Sequence, residues 1–332
     1  MSKKIFFAYL APESMVNFVK KDYEILKKYY IVRTYCYKGW KRGLLDIPKI
    51  LYGVLTTDVN ISWFAYVQSY YAVIFSKIFR KKSIVIIGGF DVAEEETHNK
   101  RIHPKIKKQL KYSLNNANIL LAISERIKNK AMQYTKRSDI KVIYHGFDYE
   151  TFKCGCEKED LVVTIGYVKK GNLWRKGHET FVKAAKYLPE VRFVLIGKHL
   201  DDSIDYLKNI ATPNVEFTGW VSDEKLLDYM QRAKVYVQVS FHEGFGLSLA
   251  EAMLCECVPV VTDRGALPEV VGDTGYYVPF RDPEATAEAI KKALEGVDPD
   301  LGKKARERIK TLFPLEKREK ELIDAVEGLI AN

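Results

Sequence analysis

Short runs of consecutive apolar residues alternate along the chain with longer stretches where apolar residues recur every three or four positions. The first pattern reads as buried strand and the second as amphipathic helix. Lys4–Leu10 predicts a strand, followed by a helix capped at Ser14 and running to about Lys28 on Met15, Phe18, Val19, Ile25 and Leu26. Tyr30–Tyr37 and Val59–Ala65 predict strands, the second leading into an aromatic helix from about Gln68 to Phe79. Ser83–Ile87 is a continuous apolar run ending in Gly88-Gly89, as expected of a central parallel strand and its exit turn. Ala117–Ile123 repeats that design. Ser124 caps a helix over Glu125–Tyr134, and Ile140–Tyr144 closes the series.

The second half keeps the same rhythm. Strands are expected at Leu161–Val168, Val191–Ile196, Val215–Phe217, Val235–Val239, Val258–Thr262 and Gly275–Val278. The helices between them are about Lys176–Tyr187, Ser203–Ile210, Ser222–Ala233, Gly246–Cys255 and Pro283–Leu294. One or two more helices, broken at Pro314, follow over Leu301–Ile330. Strands alternating with helices of this length make right-handed βαβ units and parallel sheets covered on both faces. At 332 residues the chain exceeds what one core usually holds, so two α/β domains are expected, 1–150 and 151–332. The polar, aperiodic, glycine-containing stretch Asp148–Glu159 is the expected linker. A small ligand is expected in the cleft lined by the carboxyl ends of the strands.

Candidate chemistry is densest between Val235 and Met253. A strand ends at Val239, Gly244 and Gly246 bracket Phe245, and an amphipathic helix begins. The glycines let backbone approach a ligand closely, and the helix start offers unpaired N–H groups to a phosphate. Glu243 stands at the strand tip and Glu251 in the second helical turn. A carboxylate beside a phosphate site is unfavourable unless it binds hydroxyls, so both read as sugar or ribose ligands. A rival reading, a dinucleotide fingerprint built on Gly244-x-Gly246 and Asp263, lacks the third glycine, where Leu249 stands. A second segment, Gly166–Gly177, holds Lys169, Lys170, Arg175 and Lys176 where a helix opens. Cations are unfavourable at that end of a helix dipole, which argues for an anionic ligand such as a diphosphate; the bland alternative is a solvated basic loop.

These residues resemble the retaining glycosyltransferases of family 4, which have the GT-B fold. Glu243 and Glu251 match the family's E-x7-E element, with Ser240 before it and the Gly244-Phe245-Gly246-Leu247 turn inside it. Pro259-Val260-Val261, Pro268-Glu269-Val270-Val271 and Thr274-Gly275-Tyr276 match its continuation, and Phe217-x-Gly219, a helix and Ala233 match its upstream part. Lys176-Gly177 matches the diphosphate-binding lysine, and His145-Gly146-Phe147-Asp148 resembles the N-G-V-D that joins the domains. The match is close over about residues 161–280 and loose before them. Tyr167 stands where the family has an arginine, leaving Lys169, Lys170 or Arg175 to replace it. Ala11-Pro12-Glu13 replaces the first-domain glycine loop, and Cys255-Glu256-Cys257 replaces a Cys-Gly turn. Gly88-Gly89-Phe90-Asp91 replaces a donor-facing histidine, which makes Asp91, His98 and His103 the acceptor-side candidates.

The resemblance implies two Rossmann-like doubly wound domains facing across a cleft, the first for acceptor and the second for a UDP- or GDP-linked sugar. It implies transfer, with retention, to a hydroxyl of a glycan, lipid-linked or small-molecule acceptor. Lys176, helped by Lys169, Lys170 or Arg175, would offset charge on the leaving diphosphate, as would the amides of Gly246 and Leu247. Glu251 would hold the ribose and Glu243 the sugar. Gly219, Val221, Gly244 and Phe245 would complete the donor pocket. No nucleophile for double displacement is identifiable, which favours a front-side route. No D-x-D stands at a strand end, so neither an essential metal nor a cofactor besides the donor substrate is expected.

Charge changes the picture in the first half. Residues 1–150 carry a net +14 and residues 151–332 a net −4. Such a basic half suits an anionic partner or merely a lysine-rich solvated surface. Arg80-Lys81-Lys82 and the cations of 99–111, near Tyr70, Tyr71, Phe75 and Phe79, suit an anionic membrane surface that delivers a lipid-linked acceptor. No nucleic acid is expected, since no RNP-like, zinc-finger or helix-turn-helix pattern appears. No apolar run of 18 residues exists and no signal peptide is read at the start, so the expected place is the cytoplasm, with peripheral attachment to the inner membrane face as an option. The two C-x-C pairs among five cysteines have spacings unlike those of zinc sites and read as buried thiols. Two other functions remain open at this level: a nucleotide-sugar 2-epimerase of the same fold, and a nucleic-acid-binding protein using the basic half.

Overall fold

The apolar runs become the strands of two parallel sheets. The structure, a computed structural model, describes residues 3–10, 15–38, 43–92, 103–155 and 157–331. Among these the chain forms two compact units, residues 1–146 with 315–332, and residues 147–314. Among the described residues no helix is long and apolar enough to cross a membrane.

The first unit runs β1 (Lys4–Leu10), α1 (Asn17–Tyr29), β2 (Ile31–Tyr37), α2 (Gly43–Leu55), β3 (Val59–Trp63), α3 (Val67–Ile78), β4 (Lys82–Ile87), α4 (Pro104–Asn116), β5 (Ile119–Ala122), α5 (Glu125–Ala131) and β6 (Lys141–Val142). Its strands pair in the order β2-β1-β3-β4-β5-β6, all parallel. β4 is covered on both faces, which is why its sequence is a continuous apolar run; β3 is buried at every position although it alternates, its polar Asn60 donating to Ser76 and accepting from Ser62. Two helices escape the periodicity reading. α2 carries Pro48 inside it, and α4 opens on Pro104 within a lysine-rich stretch, so proline and charge hide their apolar stripes. The Ser14 cap lies outside the described residues; α1 starts at Asn17 without a side-chain cap.

The second unit runs β7 (Glu159–Ile165), α6 (Lys170–Arg175), α7 (His178–Ala184), β8 (Arg192–Ile196), α8 (Ser203–Ile210), β9 (Val215–Gly219), α9 (Asp223–Arg232), β10 (Ala233–Gln238), α10 (Leu247–Leu254), β11 (Val258–Val261), α11 (Leu267–Val271), β12 (Tyr276–Tyr277), α12 (Pro283–Glu295) and α13 (Leu301–Leu312). The strand order is β12-β11-β10-β7-β8-β9, again parallel throughout. Its core centres on Val162, Phe181, Phe193, Leu195, Val235, Val237 and Val260.

The domain boundary differs from the sequence reading in two ways. It falls between Gly146 and Phe147, ahead of the expected linker, because Phe147 is built into the second unit: its amide bonds the Phe313 carbonyl and its ring stacks on Phe245. The last helix, α14 (Leu315–Ile330), belongs to the first unit and not to the second. The reason is a buried ion pair. Arg318 donates to both carboxylate oxygens of Asp22 on α1, at 2.8 and 2.7 Å, and to the Ile143 and Tyr144 carbonyls. Trp63 Nε1 donates to the same carboxylate at 2.8 Å. Tyr30 reaches Glu327, and Lys28 and Tyr29 reach Glu319.

Candidate active site

In an open parallel sheet, ligands bind beyond the carboxyl ends of the strands where the strand order reverses direction. In the second unit that point lies between β7 and β10, since β8 and β9 extend to one side and β10 to β12 to the other. Lys176 follows β7 and Glu243 follows β10. Their side chains meet there: Lys176 Nζ donates to Glu243 Oε1 at 2.6 Å. Ser240 Oγ donates to the same oxygen at 3.0 Å, and Thr262 Oγ1 at the exit of β11 fixes the Ser240 carbonyl at 2.6 Å.

The pair is mostly buried, and Glu243 is 8% exposed. Burial alone would raise its carboxyl, but the Lys176 and Arg175 cations and the two hydrogen bonds overcome that and hold it at about 2. His178, the first residue of α7, is 1% exposed, and among the described residues neither ring nitrogen has a partner. Burial, then the Lys176 and Arg175 charges, lowers it to about 3, so it is neutral beneath the site.

Two glycines set this geometry. The sequence reading runs one helix through Lys176–Tyr187; the structure breaks it at Gly177, which has φ +73°. A Cβ there would lie 2.2 Å from the Val239 carbonyl oxygen, so the loop after β7 can touch the β10 exit only through glycine. Gly265, φ +63°, similarly lies against the Glu243 backbone, 2.5 Å from its nitrogen to an added Cβ. Gly177→Ala is expected to destabilise the second unit by more than ~1 kcal/mol from the left-handed backbone alone, read as a lower urea midpoint.

The structure sorts the four cations of the Gly166–Gly177 segment. Arg175 ends α6, donates to Asn172 Oδ1 at 2.9 Å, and is the second charge acting on Glu243. Lys169 and Lys170 are exposed; Asp201 accepts from the Lys170 backbone amide at 2.9 Å and feels the Lys169 charge. Gly246, φ +105°, opens α10, and Gly244, Phe245 and Leu247 form the turn around it. Glu251, half-buried, lies in the second turn of α10. The two glutamates bear on one group: the Tyr236 hydroxyl, buried and donating to Ser248 Oγ at 2.8 Å, is raised first by burial and also by both carboxylates. Gly219 ends β9 at φ +68°, with Val221 half-buried just beyond.

The acceptor-side candidates belong to the first unit. Asp91 is 5% exposed and joins two strand tips, Oδ2 accepting from the Ala65 amide at 2.7 Å and Oδ1 from the Gly89 amide at 2.9 Å. Burial pushes its carboxyl up to about 6 against those hydrogen bonds. His103 caps α4, its Nδ1 accepting from the Lys105 amide at 3.2 Å. His98 lies outside the described residues. Sequence reasoning missed His178 and the aromatic group Trp174, Phe241 and Phe280; only their closeness to the two motifs could have signalled them. Among the described residues no three His, Cys, Asp or Glu side chains gather as a metal site would need.

Residues 160–296 match the family of glycosyl transferases group 1. The chain is 31% identical over 210 residues to a lipopolysaccharide core biosynthesis mannosyltransferase, LpcC, of Rhizobium leguminosarum bv. viciae, covering 56% of this chain and 58% of that protein. It is 23% identical over 233 residues to an N-acetyl-alpha-D-glucosaminyl L-malate synthase of Bacillus anthracis, covering 64% of this chain and 60% of the relative. The chain thus spans no more than 60% of the length of these two curated relatives. The crystal structure of HepE from Anabaena in complex with UDP and glucose superposes with a TM-score of 0.81 at 18% identity, over 98% of this chain and 100% of that one. Two parallel sheets with flanking helices, matching HepE and the sucrose-phosphate synthase of Thermosynechococcus elongatus (TM-score 0.80, 18% identity), are the GT-B fold. Over residues 160–296 the chain is thus similar to the group 1 glycosyltransferases.

Proposed function

We propose that the protein transfers a sugar from a nucleotide-sugar donor to an acceptor hydroxyl, with retention at the anomeric carbon. The observation that carries this is the Lys176–Glu243 pair at the point where the strand order reverses. A lysine ammonium has three donors, and Glu243 uses one, leaving the others for a diphosphate oxygen. Arg175 is the better replacement for the absent family arginine, since its charge acts on Glu243 while the Lys169 charge acts on Asp201. The Gly246 and Leu247 amides at the start of α10 add donors aimed at developing negative charge. Glu243 would bind the sugar hydroxyls and Glu251 the ribose. In the front-side route the acceptor oxygen bonds the anomeric carbon as the bond to the diphosphate oxygen breaks, and that oxygen takes the acceptor proton. UDP is the favoured nucleotide, because HepE was solved with UDP and glucose; GDP is the alternative.

Two substitutions test the division of roles. Glu251→Ala should weaken binding of free UDP at least tenfold in calorimetry, because ribose contacts exist without the sugar. Glu243→Ala should leave free UDP binding within about twofold and lower transfer. The reverse pattern would overturn the assignment.

The membrane reading of the first unit rests on one end of α3. Ile78 and Phe79 are 63% and 44% exposed beside Lys77 and Arg80, while Tyr70, Tyr71 and Phe75 are half-buried. Lys105, Lys107 and Lys108 are exposed on α4, which packs on α3. Each cation near an anionic bilayer contributes about 1 kcal/mol. Sedimentation with anionic vesicles should capture the protein at low salt, and Phe79→Ser with Lys105, Lys107 and Lys108 changed to Glu should release it. Equal recovery with anionic and neutral vesicles would favour a soluble acceptor.

A further inference from the structure

A cavity of about 370 Å³ opens in the second unit beside, and separate from, the Lys176–Glu243 pair. Trp174, Glu179, Thr180, Lys183 and Arg281 line it. Trp174 is its link to the site. The ring lies 4.4 Å from Phe241 and 5.7 Å from Phe280, centroid to centroid, and Phe241 bonds the Arg175 carbonyl through its amide at 2.8 Å. One wall of the cavity is thus the back of the segment that presents Arg175 and Lys176.

Arg281 is the unusual member. Its φ is +64°, a left-handed conformation that a side chain adopts at a cost, and such strain gathers where a side chain must be aimed. The guanidinium lies 5.5 Å from the Trp174 ring and 5.7 Å from Phe280, and among the described residues it makes neither hydrogen bond nor ion pair. Its charge acts on the Glu179 carboxylate, though the two form no ion pair. One oxygen, Oε1, already takes Lys183 Nζ at 2.5 Å and the Tyr206 hydroxyl at 2.9 Å, and among the described residues Oε2 has no donor. The cavity therefore offers an aromatic wall, an unpaired guanidinium fork, a free carboxylate oxygen and the lining residue Thr180. The fork matches a carboxylate or phosphate, and the carboxylate oxygen accepts from a hydroxyl. A single ligand carrying hydroxyls and one negative group satisfies all of them, and the volume holds about one sugar ring.

We propose that this cavity binds a saccharide unit bearing an anionic group, a sugar of the acceptor remote from the reacting hydroxyl. That assignment to the acceptor rests on the glycosyl-transfer reading; the binding itself does not. Binding energy gathered away from the reacting atoms can be used to orient the acceptor.

The test measures binding without transfer. Glucuronate, glucose 6-phosphate and glucose are titrated into the full chain by ligand-observed NMR, with and without saturating UDP. One or both anionic sugars should bind at least tenfold more tightly than glucose, and UDP should not displace them. The arm that binds tells a uronate from a phosphate. Arg281→Gln should weaken that binding tenfold or more, while Arg281→Lys, which keeps charge but loses the fork, should fall between. UDP affinity and the thermal melt of both variants should match wild type. Equal binding of glucose, displacement by UDP, or an unchanged affinity in Arg281→Gln would each overturn the proposal. Absent UDP binding with anionic sugar binding intact would instead count against the donor reading alone.

Discussion

Replacing Lys176 by alanine should cut turnover by ~10²-fold or more, because one charged contact to a leaving group is worth about 3 kcal/mol in the transition state. From sequence alone that change should leave folding nearly untouched. The structure predicts otherwise. Lys176 neutralises a carboxylate that is 8% exposed, and removing one partner of a buried pair leaves the other uncompensated, at a cost of about 3 kcal/mol. Lys176→Ala should therefore lose both turnover, read by donor hydrolysis and transfer, and stability, read by urea unfolding. The double variant Lys176→Ala, Glu243→Gln separates the two: stability should largely return, turnover should not. Near-wild-type turnover in the single variant would remove Lys176 from the diphosphate role. The pH dependence has a definite sign. The Glu243 carboxyl is held at about 2 in the fold against an ordinary value of 4.5, so its contribution is present above 4.5. It is lost as pH falls from 4.5 towards 2, and Glu243→Gln should flatten stability in that window.

The second large effect lies far from the site. Arg318→Ala should cost about 4 kcal/mol, because it leaves Asp22 buried without its cation and two carbonyls without a donor. Amide hydrogens of α14 should exchange rapidly, and limited proteolysis should cut near Pro314. Asp22→Leu with Arg318→Met should recover much of the loss, since an apolar pair of similar volume needs no desolvation of charge. Unchanged protection of 315–330 in Arg318→Ala would show that apolar packing by Leu322, Val326 and Leu329 alone holds the helix.

The parts legible in the sequence are those that neighbouring residues encode. Ser83–Ile87 could be read as a doubly covered strand because every position is apolar or small, and β4 is buried from Ser83 onward. Ser222, placed before an acidic first turn, reads as a helix start, and its hydroxyl accepts from the Lys225 amide. The turn from Glu243 to Glu251 stands out because two glycines, a strand end and a helix start fall within nine residues. The helix break at Gly177 was not legible, since Lys176–Tyr187 keeps an apolar period across it. Only the Val239 carbonyl, 62 positions on, demands the missing side chain.

What the sequence by itself determined is the set of elements, their α/β alternation, the doubly wound class and the residue types of the turn from Glu243 to Glu251. These follow from side-chain periods and backbone preferences that act over a few residues. Only the tertiary structure decided which distant groups meet. Lys176 finds Glu243 across 67 positions because β7 and β10 are neighbours where the strand order reverses. Arg318 finds Asp22 across 296 positions because α14 packs back on α1. Arg175, at the end of α6, is the cation that acts on the Glu243 carboxylate together with Lys176, whereas Asp201 takes the Lys170 backbone amide and feels the Lys169 charge. Charge and hydrogen-bonding partners are chosen by proximity in the folded chain, and proximity across a sheet depends on strand order, which no local pattern of hydrophobic and polar residues specifies.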